Sequence, residues 1–287
     1  MNRTLIVGGT GTVGSQVLAQ MVDAGANVRV LARKPDAVRW PSGVEVMQGD
    51  LTVPETLDAS LDGIDQVFLV WMAPLAAVGP ALERLTKRAK RIVYLSAPHK
   101  TLHPLFQASP SNPSTTLHVE IERMIEASGV EWTFLRPGMF AGNARGWWRP
   151  QIRTGDVVRW PYLSVPTAPI DERDIARIAV RALREDGHAG AEYLLTGRQS
   201  LSHADQIETI ARALGRSLRI EEMPPEDAPQ ELLNFGFNPP AAKMLLEAWA
   251  AAAGHPAFMS PTFEEITGTR PGTFFEWATD YAAEFRS

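Results

Sequence analysis

Short apolar runs alternate with longer stretches in which apolar residues return every three or four positions, and this rhythm governs the first half of the chain. Leu5–Val7 reads as a first strand. Thr12–Ala24 reads as a helix whose apolar side carries Val13, Val17, Leu18, Met21 and Val22, and Gly25 ends it. Further strands are predicted at Val28–Ala32, Val44–Met47, Gln66–Val70, Arg91–Leu95 and Glu131–Leu135, with helices near Pro54–Ser60, Ala76–Ala89 and Ser114–Ser128. Short strands separated by helices imply right-handed crossovers. The expected fold class is therefore α/β, a Rossmann-type doubly wound parallel sheet with helices on both faces.

After Pro137 the rhythm loosens. The pattern gives a short strand within Gly155–Tyr162, a helix at Asp171–Arg184, strands at Ala191–Leu195 and Arg219–Glu222, and a helix at Ser202–Leu214. A proline-rich stretch, Pro224–Pro240, leads to helices at Ala241–Ala253 and Gly272–Phe285. This divides the chain into a dinucleotide-binding core over residues 1–140 and a smaller C-terminal α/β substrate lobe over 141–287. Segments around 165–200 return to the core. The lobe is expected to cover the carboxyl edge of the sheet, where open α/β sheets hold their ligands.

Composition narrows the function by exclusion. A net charge of −5 provides no basic face to neutralise nucleic-acid phosphates. With no cysteine there is neither a disulfide, a thiolate metal site nor a cysteine nucleophile. The longest apolar stretch, Val67 to Gly79, is broken by Pro74 and is too short to span a bilayer. Met1-Asn2-Arg3 runs directly into the first strand, which leaves no export signal and points to the cytoplasm. Neither a Gly-x-Ser-x-Gly elbow, a His-Glu-x-x-His helix nor a lysine-bearing phosphate loop occurs, so the commonest hydrolase and kinase chemistries are set aside.

The first strand runs into Gly8-Gly-Thr-Gly-Thr-Val-Gly14, with Gly8, Gly11 and Gly14 three apart between a strand and a helix. Residues without a Cβ let the backbone turn tightly and approach a pyrophosphate, while the free N–H groups of the next helix meet its charge. The turn nominates Gly8, Thr10, Gly11, Thr12, Val13 and Gly14 as cofactor-binding residues. A cofactor with a free ribose 2′-hydroxyl usually meets an acid after the second strand. Here Arg33 and Lys34 stand there, with no carboxylate before Asp36. Two cations suit a 2′-phosphate, so NADP is the expected cofactor, with NAD admitted; alternatively the two cations form a solvated loop pair. Asp50 in Gly49-Asp50-Leu51 is placed to bond an adenine amino group or to cap the following helix, and the two roles are compatible.

Several further stretches, taken with the glycine turn, resemble the atypical short-chain dehydrogenase/reductase superfamily, in its NmrA-like branch. They are Val28-Arg-Val-Leu-Ala-Arg33, Gly49-Asp-Leu51, Arg91-Ile-Val-Tyr-Leu-Ser96, Ser128-Gly-Val-Glu-Trp-Thr-Phe-Leu-Arg-Pro137, Pro169-Ile-Asp-Glu-Arg-Asp-Ile-Ala176 and Thr273-Phe-Phe-Glu-Trp-Ala278. The resemblance spans essentially the whole chain and implies an NAD(P)-binding core with a small C-terminal substrate lobe. It also marks a departure. Typical relatives carry Tyr-x-x-x-Lys on the helix before the sixth strand, whereas this chain reads Ser114-Thr-Thr-Leu-His118. A serine hydroxyl is too weak an acid to replace a phenol. Ser96 matches the superfamily's active-site serine, and His118 with Glu122 reproduces the His-x-x-x-Glu spacing of the quinone-reductase-like members.

On that helix Leu117, Ile121, Met124 and Ile125 form the core stripe, with His118 at its border and Glu122 one turn on. His118 and Ser96 are the candidate catalytic residues; the competing reading of His118 and Glu122 is a surface i, i+4 pair. Trp71, Leu51 and Pro137 join the cofactor set. Met72, His99, Met139, Phe140, Asn143 and Trp147 are expected to line a pocket for a flat apolar ligand, against the alternative of ordinary packing. His99 and His103 lack a third ligand, and Pro98 and Pro104 argue against a helix that would fix them, so a metal site is not expected. Asp171 and Asp174 are taken as structural, at a helix start.

The sequence thus points to an NAD(P)H-dependent oxidoreductase acting on a small but bulky aromatic or quinone-type substrate, with no nucleic-acid or membrane partner. Two alternatives stand beside it. One is an oxygenase-like tailoring enzyme of aromatic polyketides that uses bound dinucleotide. The other is a non-catalytic NADP redox sensor.

Overall fold

A computed structural model of the chain describes residues 2–107 and 113–286, the side chains of Pro113 and Ser114 excepted; the expected Ser114 side chain thus lies outside the described residues. The first half alternates as anticipated: β1 (Arg3–Val7), α1 (Thr12–Asp23), β2 (Asn27–Ala32), β3 (Glu45–Gln48), α2 (Leu57–Ser60), β4 (Gln66–Val70), α3 (Val78–Arg88) and β5 (Arg91–Leu95). Then follow α4 (Pro104–Gln107), α5 (Pro113–Ala127), β6 (Glu131–Pro137), α6 (Asn143–Trp147), α7 (Arg149–Thr154), β7 (Val157–Trp160) and β8 (Pro166–Thr167). The remainder is α8 (Glu172–Arg184), β9 (Ala191–Leu195), β10 (Leu201–Ser202), α9 (His203–Leu214), β11 (Arg219–Glu222), α10 (Ala228–Asn234), α11 (Pro239–Ala252), α12 (Thr262–Thr267) and α13 (Phe274–Asp280).

As Pro98 and Pro104 suggested, no helix covers His99 to His103; a short helix, α4, begins at Pro104 itself. Proline is well suited to a first helical position, where its missing N–H would be unsatisfied anyway. His99 and His103 both lie before that helix. Two expectations need correction. The proline-rich stretch 224–240 also holds α10, with Pro229 in its first turn. The closing helix is shorter than Gly272–Phe285, because α13 stops before Tyr281 and a 3-10 turn covers Ala282–Phe285.

The chain forms two compact units. The first comprises Met1–Ala97, Pro113–Pro137 and Glu172–Leu194. Its sheet has the order β3-β2-β1-β4-β5-β6-β9, and each neighbouring pair from β3 through β6 is parallel. One face presents Leu5, Val7, Val67, Leu69, Ile92, Tyr94 and Phe134 to α2, α3 and α5. Elsewhere α1 packs along α8, and both lean on the sheet. The strand order reverses between β1 and β4, the kind of switch point at whose carboxyl ends open α/β sheets hold their ligands.

The second unit comprises Pro98–Asn112, Gly138–Asp171 and Leu195–Ser287. It has two small sheets, parallel β7–β11 and antiparallel β8–β10. Its core is an aromatic cluster containing Trp147, Trp148, Trp160, Trp249 and Trp277. Capping boxes start α9 (Ser202 with Asp205) and α13 (Thr273 with Glu276).

Candidate active site

The carboxyl end of β1 builds the first part of the site. Gly8 has φ +90°, and a Cβ there would come 2.7 Å from the Val70 Cβ at the end of β4. At Gly14 a Cβ would lie 2.1 Å from the Gly8 carbonyl oxygen, so only glycine lets α1 start this close to the strand. The Gly11 N–H donates to the Gly8 carbonyl across 3.0 Å, and Gly11 is the N-cap of α1. No side chain caps this end, and its first turn holds no acid. The N–H groups of that turn, beside exposed Thr10 and Thr12, form a cradle suited to a pyrophosphate, with buried Val13 anchoring the helix beneath.

Arg33 and Lys34 stand exposed just past β2, and the first acid beyond them, Asp36, is exposed as well. Asp50 Oδ1 accepts from the Thr52 N–H and the Thr52 hydroxyl, each at 2.8 Å. These bonds, aided by the Arg33 charge, hold the Asp50 carboxyl below its ordinary range despite some desolvation. Asp50 is thus an ionised turn-former. Its neighbour Leu51 packs in the core of the first unit.

The second part lies between β5, β6 and α5. Alternation along β5 puts Tyr94 and Ser96 on one face, and the helical repeat of α5 puts His118 and Glu122 on one side. The two pairs meet one to one. Tyr94 Oη lies 2.6 Å from His118 Nδ1, and the Ser96 hydroxyl donates to Glu122 Oε1 across 2.6 Å. Arg136 on β6 completes the array. Its Nε and Nη2 donate to the two oxygens of Glu122 at 2.9 and 2.5 Å, and its Nη1 donates to Glu192 on β9. Glu122 is 2% exposed and Arg136 5%. Burial works against the Arg136 charge, but the two carboxylates outweigh it and hold its pKa above the usual value. The Tyr94 phenol is fully buried; burial, and then the Glu122 charge, push its pKa well up.

Ser96 and His118 therefore do share one constellation, Ser96 through Glu122 and His118 through Tyr94. The α5 stripe is as read from the sequence, with Ile121 and Ile125 buried and Leu117 and Met124 against the core. Glu122, however, is held inside by Arg136 and is no surface partner. Tyr94, Arg136 and Glu192 were not foreseen. The available signal was the two-residue alternation that aligns Tyr94 with Ser96.

The remaining candidates divide. Trp71 is 4% exposed in the core of the first unit, and its indole N–H donates to the Ala73 carbonyl across 2.7 Å. Met72 is 84% exposed. Pro137 closes β6, buried. His99, Met139, Phe140, Asn143 and Trp147 all belong to the second unit. Met139 and Phe140 lie on a segment bridged to Ile170, and the Asn143 N–H donates to the Phe140 carbonyl across 3.2 Å. Trp147 is buried among Trp148, Trp160, Trp249 and His203, so its ring serves the aromatic core. His103 donates from Nε2 to the Pro256 carbonyl (2.9 Å) and accepts at Nδ1 from the Leu105 N–H (3.2 Å), which occupies both nitrogens. Among the described residues no group of three or more His, Asp or Glu side chains is placed to hold a metal, and no helix is long and apolar enough to cross a membrane.

The profile of the NmrA-like family matches residues 1–266. A (4-alkanoyl-5-oxo-2,5-dihydrofuran-3-yl)methyl phosphate reductase of Streptomyces griseus is 36% identical over 284 residues, covering 98% of both chains. An NAD(P)H azoreductase of Xenophilus azovorans is 32% identical over 289 residues, also covering 98% of both. Among solved structures, an NADPH-dependent quinone oxidoreductase of Escherichia coli in complex with NADPH superposes with a TM-score of 0.80 at 22% identity. That match covers 96% of this chain and 99% of the other, and at such identity it speaks for the fold alone.

Proposed function

This chain belongs to the NmrA-like family, and from that premise we propose that it reduces flat conjugated acceptors, such as quinones, azo compounds and doubly activated enones, in preference to isolated ketones. It is an NAD(P)H-dependent oxidoreductase. The glycine turn and the uncapped start of α1 would hold the pyrophosphate of the dinucleotide, and Arg33 its 2′-phosphate. When bound, the reduced nicotinamide supplies a hydride.

The observation that carries the substrate preference is the state of the protons around α5. The one phenol in the constellation, Tyr94, is buried with a raised pKa, so it is no acid for a ligand. The Ser96 proton is committed to Glu122. To His118, bonded to Tyr94 at Nδ1, we assign the hydrogen bond to the ligand oxygen. Hydride addition to an isolated ketone creates an alkoxide and calls for a well-placed acid. Addition to a quinone or an activated enone leaves a delocalised anion that a single hydrogen bond can stabilise. Exposed Met72, past the end of β4, offers a flat ligand an adaptable apolar contact.

The test is anaerobic consumption of NADPH with a panel of acceptors. Quinones and doubly activated enones are expected to outpace simple ketones by at least on the order of a hundredfold, the lower range of what a positioned acid supplies. Simple ketones turned over at the rate of quinones would sink the proposal, as would NADPH binding with no acceptor reduced.

A further inference from the structure

A neutral imidazole carries one N–H and one bare nitrogen, and the partner of either decides which is which. For His118 that partner comes from the sheet. Tyr94 Oη stands 2.6 Å from Nδ1, with the two rings 5.8 Å apart and tilted by 39°. The phenol is fully buried beneath α5, edge-on to Phe134. Charged and polar groups face this pair from each neighbouring element: Glu122 on α5, Ser96 on β5, Arg136 on β6 and, through Arg136, Glu192 on β9. The two carboxylates are bound to Arg136, so neither is a base for the phenol. The phenol keeps its proton throughout the neutral range, as its raised pKa requires, and is the donor of the pair.

We propose that Tyr94 is the positioning residue of this site: its O–H holds His118 Nδ1 as an acceptor and so fixes the ring proton on Nε2, the atom that donates to the ligand oxygen. The proposal rests on the reading of His118 as the ligand's hydrogen-bond donor. It gives the site a fixed polarity. Ser96, whose proton is spent on Glu122, offers a ligand only lone pairs, while His118 offers the N–H. An oxygen that gains negative charge is thereby directed to His118, and a ligand N–H or O–H to Ser96.

The experiment uses the holoenzyme with NADP bound and compares wild type with Tyr94→Phe, His118→Gln and the double variant. Tyr94→Phe keeps the ring beside Phe134 and deletes only the hydroxyl. Nitrogen spectra of isotope-labelled histidine report the tautomer of His118 directly, its signals assigned by their loss in His118→Gln. The expected result is a protonated Nε2 and a bare Nδ1 in wild type, and a mixture of tautomers in Tyr94→Phe. With a quinone acceptor, kcat of Tyr94→Phe should fall about tenfold with the KM for NADPH unchanged, the worth of one neutral hydrogen bond. Adding Tyr94→Phe to His118→Gln should cost nothing further, because an amide carries its donor without help. A wild-type proton on Nδ1 overturns the proposal, as does a Tyr94→Phe enzyme with unchanged tautomer and kcat. A His118→Gln enzyme with undiminished kcat overturns the underlying reading of His118. The two failures are distinguishable because the spectra report the tautomer whether or not His118 acts on a ligand.

Discussion

Acid should loosen the second unit through His203, the first residue of α9. This ring is fully buried in the tryptophan cluster, 5.0 Å from Trp249 and 6.1 Å from Trp148 by ring centroids. Its Nδ1–H donates to the Tyr162 carbonyl across 3.0 Å, and Nε2 is buried with no hydrogen-bond partner among the described residues. Tyr162 has φ +53°, the one non-glycine residue described in the left-handed region, so the bond also holds a strained turn in place. Burial lowers the His203 pKa from 6.5 to about 4, against the small opposing pull of the Tyr162 and Pro161 carbonyls. The unfolded chain therefore takes up a proton near pH 6.5 that the folded chain refuses until about pH 4. The stabilisation is complete above pH 6.5 and is lost as pH falls through that window. At ~1.4 kcal/mol per pH unit, the loss reaches ~3 kcal/mol by the lower end.

Other carboxylates titrate in the same range, so the contribution must be isolated by difference. His203→Asn keeps a side-chain N–H toward the Tyr162 carbonyl and cannot be protonated. Denaturant unfolding followed by tryptophan fluorescence reports this unit, which holds five of the eight tryptophans. The advantage of wild type over the variant should shrink by ~2.5 kcal/mol between pH 7 and pH 4.5. A difference that stays constant across that range would refute the reasoning.

Gly14→Ala places a methyl on the Gly8 carbonyl, where backbone meets backbone and neither can yield. NADPH affinity should fall at least on the order of tenfold with ~1–3 kcal/mol of stability, as overpacking does; unchanged NADPH binding in a fluorescence titration would take the cofactor away from this turn. Arg33→Ala should weaken NADPH by about 10- to 100-fold, the worth of a charge-assisted bond, and leave NADH untouched. Equal losses for both dinucleotides would end the 2′-phosphate assignment. Glu122→Gln leaves the buried Arg136 guanidinium half-compensated by Glu192 and should cost ~3 kcal/mol in denaturant unfolding. An unfolding midpoint equal to wild type would show that this ion pair is dispensable.

The sheet was legible where strands are short apolar runs bounded by turns: Gln66–Val70, Arg91–Leu95 and Ala191–Leu195 have the bounds expected of them. The first two are buried on both faces, so little else can be built from them, and the third is the half-buried strand at the edge of the sheet. Pro98 and Pro104 were read rightly as excluding a helix over His99 to His103. The helix α4, which Pro104 itself starts, is only four residues long and too short to show a periodic pattern. The Gly8–Gly14 turn was readable because its chemistry is local. His118 and Glu122 were readable as a spacing, but their partners were not. Tyr94 is 24 residues from His118, Arg136 14 from Glu122, and Glu192 56 from Arg136. Only the register of β5, β6 and β9 beside α5 brings them together, and no local pattern encodes that register.

That register also explains why losing the usual tyrosine and lysine from one helix is not repaired by the phenol and cation found here. A lysine beside a tyrosine eases loss of the phenolic proton. Here the cation is Arg136, and it is paired with the Glu122 and Glu192 carboxylates rather than with the phenol. Burial and the Glu122 charge push the phenol the other way. Under the proposed function, the Glu122 carboxylate next to Ser96 would also repel a ligand oxyanion from the serine side. The charge gained on reduction would then be best placed toward His118 and spread over a conjugated ligand. On that reading, the same buried ion pair that fixes α5 on the sheet would select against substrates whose reduction concentrates charge on a single oxygen.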